Sequence, residues 1–212
     1  MKIYAFSGLG ADQRIFAYLR LNAELVPVQW IDPQPDETLP SYAHRLAEQI
    51  DTSVPFALLG VSFGGMLVSE LSHSLQPAYT ILVSSAANRN ELPWMAAIAR
   101  RFQLVKRIPL RLFRPPAWIA WFGFPFHAHN RKVAQGIICD MDPVFVKWAL
   151  GAIVHWERTD SPNSFLHIHG RLDPIIPLKK RMNAEVMGTG HFIILKEAQA
   201  ISHTINNYFN IK

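Results

Sequence analysis

Three side chains of this 212-residue chain could together perform nucleophilic acyl chemistry: Ser62, Asp173 and His191. Ser62 lies in Gly60-Val61-Ser62-Phe63-Gly64-Gly65, between the apolar run Phe56-Ala57-Leu58-Leu59 and a helical pattern from Met66 to Leu75. A hydroxyl on a tight strand-to-helix turn stands exposed above the sheet edge, and glycines at 60 and 64 are expected to give the backbone room to bend. A serine is a weak nucleophile until a base takes its proton, and that base is usually a histidine held by a carboxylate. Asp173 occurs in His169-Gly170-Arg171-Leu172-Asp173-Pro174 and His191 in Gly188-Thr189-Gly190-His191-Phe192. Asp140, Asp142 and Asp160 are poorer candidates for the acid, because none follows a predicted core strand.

The elements that must position these residues alternate along the chain. Strands are expected at Ile3 to Phe6, Glu24 to Ile31, Phe56 to Val61, Tyr79 to Val83, Phe165 to His169 and Ala184 to Met187. Between them run amphipathic helices, such as the one with Ala43, Leu46, Ala47 and Ile50 on one face, and a last helix carries Ile201, Ile205, Tyr208 and Phe209. Continuous apolar strands alternating with helices predict an α/β fold, a mostly parallel six-stranded sheet covered on both faces. In such a sheet the carboxyl ends of the strands converge on one edge, where Ser62, Asp173 and His191 can meet.

The Gly60 to Gly65 turn, the His169 to Pro177 loop, the Gly188 to Phe192 loop and the Phe6-Ser7-Gly8-Leu9-Gly10 loop together resemble the α/β hydrolase superfamily. The resemblance covers nearly the whole chain, and the order Ser, Asp, His is the superfamily's. It implies a doubly wound sheet lacking the superfamily's first two strands, with strand order 2-1-3-4-5-6 and Ser62 at the switch point. It implies an oxyanion hole from the backbone amides of Phe63 and Leu9, although Ser7 stands where many relatives carry histidine. The implied function is a serine hydrolase that cleaves small or medium apolar carboxylic esters through an acyl-enzyme on Ser62, with no metal or organic cofactor. Thioesterases, carbon–carbon bond hydrolases and cofactor-free haloperoxidases of the superfamily use the same three residues. A binding module that holds a small apolar ligand without turnover is the alternative from another class.

Residues 86–156 break the alternation and are expected to form a helical cap over a core made of 1–85 and 157–212. Asp142-Pro143 is a helix start, with Phe145, Trp148, Ala149, Ala152 and Trp156 on one face. A second helix begins near Asn90 and Pro93, with Trp94, Ile98, Phe102 and Val105 on its apolar side. The aromatics Trp94, Trp118, Trp121, Phe122, Phe124 and Phe126 read as core, or as an apolar pocket above Ser62. The cap holds ten lysines and arginines against three acids, in a chain of net charge +5. That excess is either a solvated helix face or a site for an anionic substrate, an acidic carrier protein or a membrane surface. Nucleic acid is not an expected partner, since no binding motif accompanies the charge.

The pairs His167/His169 and His127/His129 lack a third ligand, which favours packed or hydrogen-bonded roles over metal binding. Cys139 is the only cysteine, so no intrachain disulfide can form. The opening residues show no signal-peptide pattern and no apolar run reaches the roughly 18 residues of a membrane span, so a cytoplasmic protein is expected.

Overall fold

Six parallel strands form one sheet in the order β2-β1-β3-β4-β5-β6: β1 (Lys2–Phe6), β2 (Glu24–Pro27), β3 (Phe56–Val61), β4 (Tyr79–Val83), β5 (Leu166–His169) and β6 (Glu185–Val186). This is a computed structural model, and it describes residues 1–113, 135–137, 139–180, 182–188 and 190–210. The strand order reverses direction between β1 and β3, which opens a crevice at the carboxyl end of β3. All six residues of β3 are buried, as expected for a strand covered on both faces.

The helices divide between those two faces. On one side α1 (Leu39–Leu46), α2 (Phe63–Leu75) and α5 (Pro143–Val154) bury Leu39, Tyr42, Leu46, Leu67, Leu71, Phe145 and Ala149 in one cluster with Tyr4, Phe6 and Leu58 of the sheet, α5 joining it by packing on α1. On the other, α6 (Ile193–Lys196) and α7 (Ala198–Asn210) bury Ile193, Ile194, Ile201 and Ile205 against Ile3, Leu59 and Ile81. The fold is therefore doubly wound. Between β4 and β5 lie α3 (Trp94–Arg101), α4 (Leu104–Arg107) and α5, with no strand among the described residues.

Helix boundaries follow local chemistry. Thr38 caps α1 by accepting the Ser41 N–H, and Pro40 sits in its first turn. Asp142 caps α5 through bonds from Val144 and Phe145, and Pro143 occupies its first position. Some expected elements are shorter. The α-helix at 39–46 tightens into a 3-10 turn at Ala47–Gln49, and β2 stops at Pro27, beyond which Trp30 turns into an aromatic cluster with Tyr42 and Phe145. β6 keeps only two exposed residues, Glu185 and Val186, because it is the sheet's edge.

The helix α3, expected to belong to a cap, departs further from expectation. Its apolar stripe faces solvent, with Trp94 72% exposed, and no residue of α3 is buried. Trp118, Trp121, Phe122, Phe124, Phe126, His127 and His129 lie outside the described residues.

The excursion between β4 and β5 is tied at its base. Ser69 of α2 donates to the Ala87 carbonyl at 2.6 Å, and the Arg89 N–H reaches the Arg158 carbonyl at 2.8 Å. The buried Glu70 carboxylate accepts from Trp156 Nε1 at 2.6 Å and from Arg158 at 2.7 Å. Asn88 adds a bond to Ser161 at 2.8 Å. Removing Arg158 would leave the Glu70 charge buried with the indole N–H alone. Arg158→Ala is expected to lower unfolding free energy by on the order of 3 kcal/mol, read by urea denaturation, while Arg158→Lys loses less.

Candidate active site

Ser62 stands between β3 and α2 with φ 53 and ψ −119, a conformation costly for any residue with a Cβ. Its backbone is held from both sides. The Ser62 N–H donates to Val83 at the end of β4 at 3.0 Å, while its carbonyl accepts from Gly65 N–H at 3.0 Å and from Ser85 Oγ at 2.6 Å. The strained φ thus falls on the serine itself. Gly60 and Gly64 have no positive φ and serve a different need, close approach. A Cβ on Gly60 would collide with Gly65, and one on Gly64 with the Ser7 carbonyl.

Asp173 occupies the loop after β5, almost fully buried. One carboxylate oxygen accepts the N–H groups of Ile175 and Ile176 at 2.8 and 2.9 Å. The other accepts His191 Nδ1–H at 2.7 Å. Burial alone would raise this carboxyl's pKa, but the bonds from His191, Ile176 and Ile175, and the attraction of the imidazolium when His191 is protonated, outweigh it and hold it below the usual carboxylate range. Since an ionised carboxylate only accepts, His191 carries its proton on Nδ1. Nε2 is left as an acceptor for the Ser62 hydroxyl, 2.8 Å away.

The loops bearing Asp173 and His191 are bound to each other. Arg171 N–H donates to the Gly188 carbonyl at 3.3 Å and Met187 N–H to that of His169 at 2.9 Å. Gly188 and Gly190 take φ +59 and +81, and the buried Ile193, Ile194 and Leu195 of α6 anchor the chain directly after His191.

Phe63 N–H and Leu9 N–H, the expected oxyanion donors, have no hydrogen-bond partner among the described residues. Phe63 opens the 13-residue helix α2, so its amide also carries the positive end of the helix dipole. Its ring is fixed by Trp30, Phe145 and Trp148, with centroids 5.8 to 6.3 Å away. The Leu9 loop lies beside the serine: a Cβ on Gly8 would sit 3.5 Å from Ser62 Cβ. Ser7 Oγ and Trp30 Nε1 both donate to the Ala11 carbonyl at 2.8 Å and close this loop. Met141 packs against Gly10, and Arg14 joins Asp12 to Asp140 at 2.6 and 2.7 Å. None of Ser85, Trp30, Arg14 or Met141 was marked by the sequence patterns, since their roles depend on contacts distant along the chain.

His167 and His169 stand behind the acid. His167 Nε2–H donates to the Ser85 carbonyl at 3.1 Å and His169 Nε2–H to that of Ile176 at 2.8 Å, so each supports a segment that touches Ser62 or Asp173. No group of three potential metal ligands occurs among the described residues. A cavity of about 1020 Å³ between α1, α3 and α5, lined by Glu70, Lys147, Trp148 and Trp156 among others, does not include Ser62, Asp173 or His191.

Burial, with the neighbouring His169 adding to it, pushes His167 down to about 4, and burial lowers His169 as well. In the unfolded chain both regain an ordinary value near 6.5. Below that pH the unfolded state binds more protons, so stability falls with acidification. The His167 contribution is complete above about pH 6.5 and is lost as the pH drops towards 4, a change of roughly 3 kcal/mol. Urea unfolding across this range should show that loss, and His167→Gln should flatten it.

A family model described as the alpha/beta hydrolase family matches residues 4–203. Solved structures share the fold at low sequence identity. An esterase from Thermogutta terrifontis is 17% identical with a TM-score of 0.71, covering 99% of this chain and 89% of its own. A hydrolase from Pseudomonas aeruginosa is 13% identical with a TM-score of 0.72, covering 98% and 89%. The enol-lactonase from Burkholderia xenovorans is 14% identical with a TM-score of 0.71, covering 99% and 91%. No curated protein matches the chain.

Proposed function

Because the chain belongs to the alpha/beta hydrolase family, we propose that it is a serine hydrolase that cleaves small or medium apolar carboxylic esters through an acyl-enzyme on Ser62. The observation that carries this reading is the unbroken relay from Ser62 Oγ through His191 to Asp173, at 2.8 and 2.7 Å. Esterases and an enol-lactonase among the structures of like fold support the reaction class.

In this reading His191 Nε2 takes the Ser62 proton as Oγ attacks the ester carbonyl. Asp173 stays ionised, keeps the imidazole in the required tautomer and stabilises the imidazolium. Phe63 and Leu9 amides receive the oxyanion, each donor contributing roughly 3 to 4 kcal/mol in the transition state. His191 then returns the proton to the leaving alcohol. In the second half-reaction it deprotonates a water that releases the acid.

Two measurements test this. A fluorophosphonate probe should label wild-type protein at Ser62 and leave Ser62→Ala unlabelled; unlabelled native wild type would remove the nucleophile from the reading. On a p-nitrophenyl ester series, Ser62→Ala and His191→Ala should each reduce kcat by roughly 10⁵- to 10⁶-fold, and Asp173→Asn by roughly 10⁴-fold, with KM little changed. Ester turnover that survives Ser62→Ala points to another site, and no turnover by the wild type on any ester of the series favours the binding module. A matched thioester hydrolysed faster than its oxygen ester makes the protein a thioesterase instead.

A further inference from the structure

We infer that the surface formed by residues 94–112 binds membranes that carry anionic lipid. The stretch from Leu92 to Cys139 contains no aspartate or glutamate and eight lysines and arginines. Within its described part, Trp94, Met95, Ile98, Phe102, Leu104, Ile108, Leu110 and Leu112 are all exposed, Trp94 at 72% and Leu112 at 67%. Exposed with them are Arg101, Lys106, Arg107 and Arg111, none of which has a carboxylate partner among the described residues. Arg100 is the exception, paired with Glu157 at 2.7 Å.

The segment is seated without using these apolar groups. Lys147 of α5 donates to the carbonyls of Lys106 and Ile108, and the buried Phe113 anchors the far end. Trp94, Ile98 and Phe102, spaced four apart, share one outward stripe of α3 and its C-cap. A monomer rarely leaves so many large apolar side chains in water without a use for them. Short amphipathic helices with aromatic and aliphatic residues projecting among arginines match the boundary between headgroups and acyl chains.

Charge selects among the possible occupants. A second copy facing this patch symmetrically would set cation against cation. An acidic protein would satisfy the arginines but leaves the aliphatic stripe with no hydrocarbon to enter. An anionic bilayer takes both. This inference does not rest on Ser62 being reactive, and its test reads no catalysis.

The test is sedimentation of the purified chain with vesicles of phosphatidylcholine alone or mixed with phosphatidylglycerol. The wild type should sediment with the mixed vesicles in weak salt, release as salt rises, and ignore phosphatidylcholine. Arg101→Gln with Arg107→Gln should weaken partitioning roughly thirtyfold. Trp94→Glu with Phe102→Glu should abolish it, with circular dichroism reporting the fold of each variant. Mixed vesicles should blue-shift the wild-type tryptophan emission, and Trp94→Phe should remove most of that shift. Failure to sediment with phosphatidylglycerol in weak salt, equal binding to both vesicles, or binding that salt does not weaken would each overturn the inference. So would a self-association abolished by Trp94→Glu with Phe102→Glu, or selective capture of an acyl carrier protein, in the absence of vesicle binding.

Discussion

Ser62 is held in a backbone conformation that it would not choose, and the rest of the site depends on that restraint. A left-handed φ on a residue with a Cβ costs about 1 to 3 kcal/mol, and it persists only where surrounding bonds over-determine it. Here the over-determination comes from two sides. β4 contributes the Val83 carbonyl, the segment just after it the Ser85 hydroxyl, and α2 the first bond of the helix through Gly65. The close contacts at Gly60 and Gly64 let sheet, helix and the Leu9 loop converge on a single residue.

Asp173 and His191 rely on a different device. Neither Asp173 nor His191 is strained; each is satisfied, with the carboxylate accepting three bonds and the imidazole oriented at both nitrogens. Because their loops bond to each other, small motions of one carry the other along. Behind them His167 and His169 remain neutral, which keeps additional positive charge away from the imidazole that would change protonation during the proposed reaction.

Most of this architecture was legible in the sequence because it rests on local pattern. The buried run Phe56–Val61 announces a central strand, and the parallel alternation fixes an order in which three distant loops share one edge. Asp142-Pro143 marks a helix start that the structure keeps. What could not be read depends on long-range contact. The glycines around Ser62 mark a tight turn but do not reveal that the strained φ falls on the serine itself, and Ser85 has no periodicity to reveal it. The stripe at Trp94, Ile98 and Phe102 has helical spacing, but periodicity states only that a face is apolar and is silent about whether protein covers it.

The tied base of the β4 to β5 excursion has a structural consequence of its own. Ala87 and Arg89 on the way out, and Trp156 and Arg158 on the way back, are fastened to one another and to α2. The entropy of closing this long loop is therefore met at its stem, and it grows only logarithmically with what lies between. Within the stretch α5 is bound into the core through Phe145 and Ala149, whereas the exposed residues of α3 and α4 can change composition with little effect on the sheet below. In that sense the stem is a socket: one stable frame can carry different surface segments between β4 and β5 without being rebuilt.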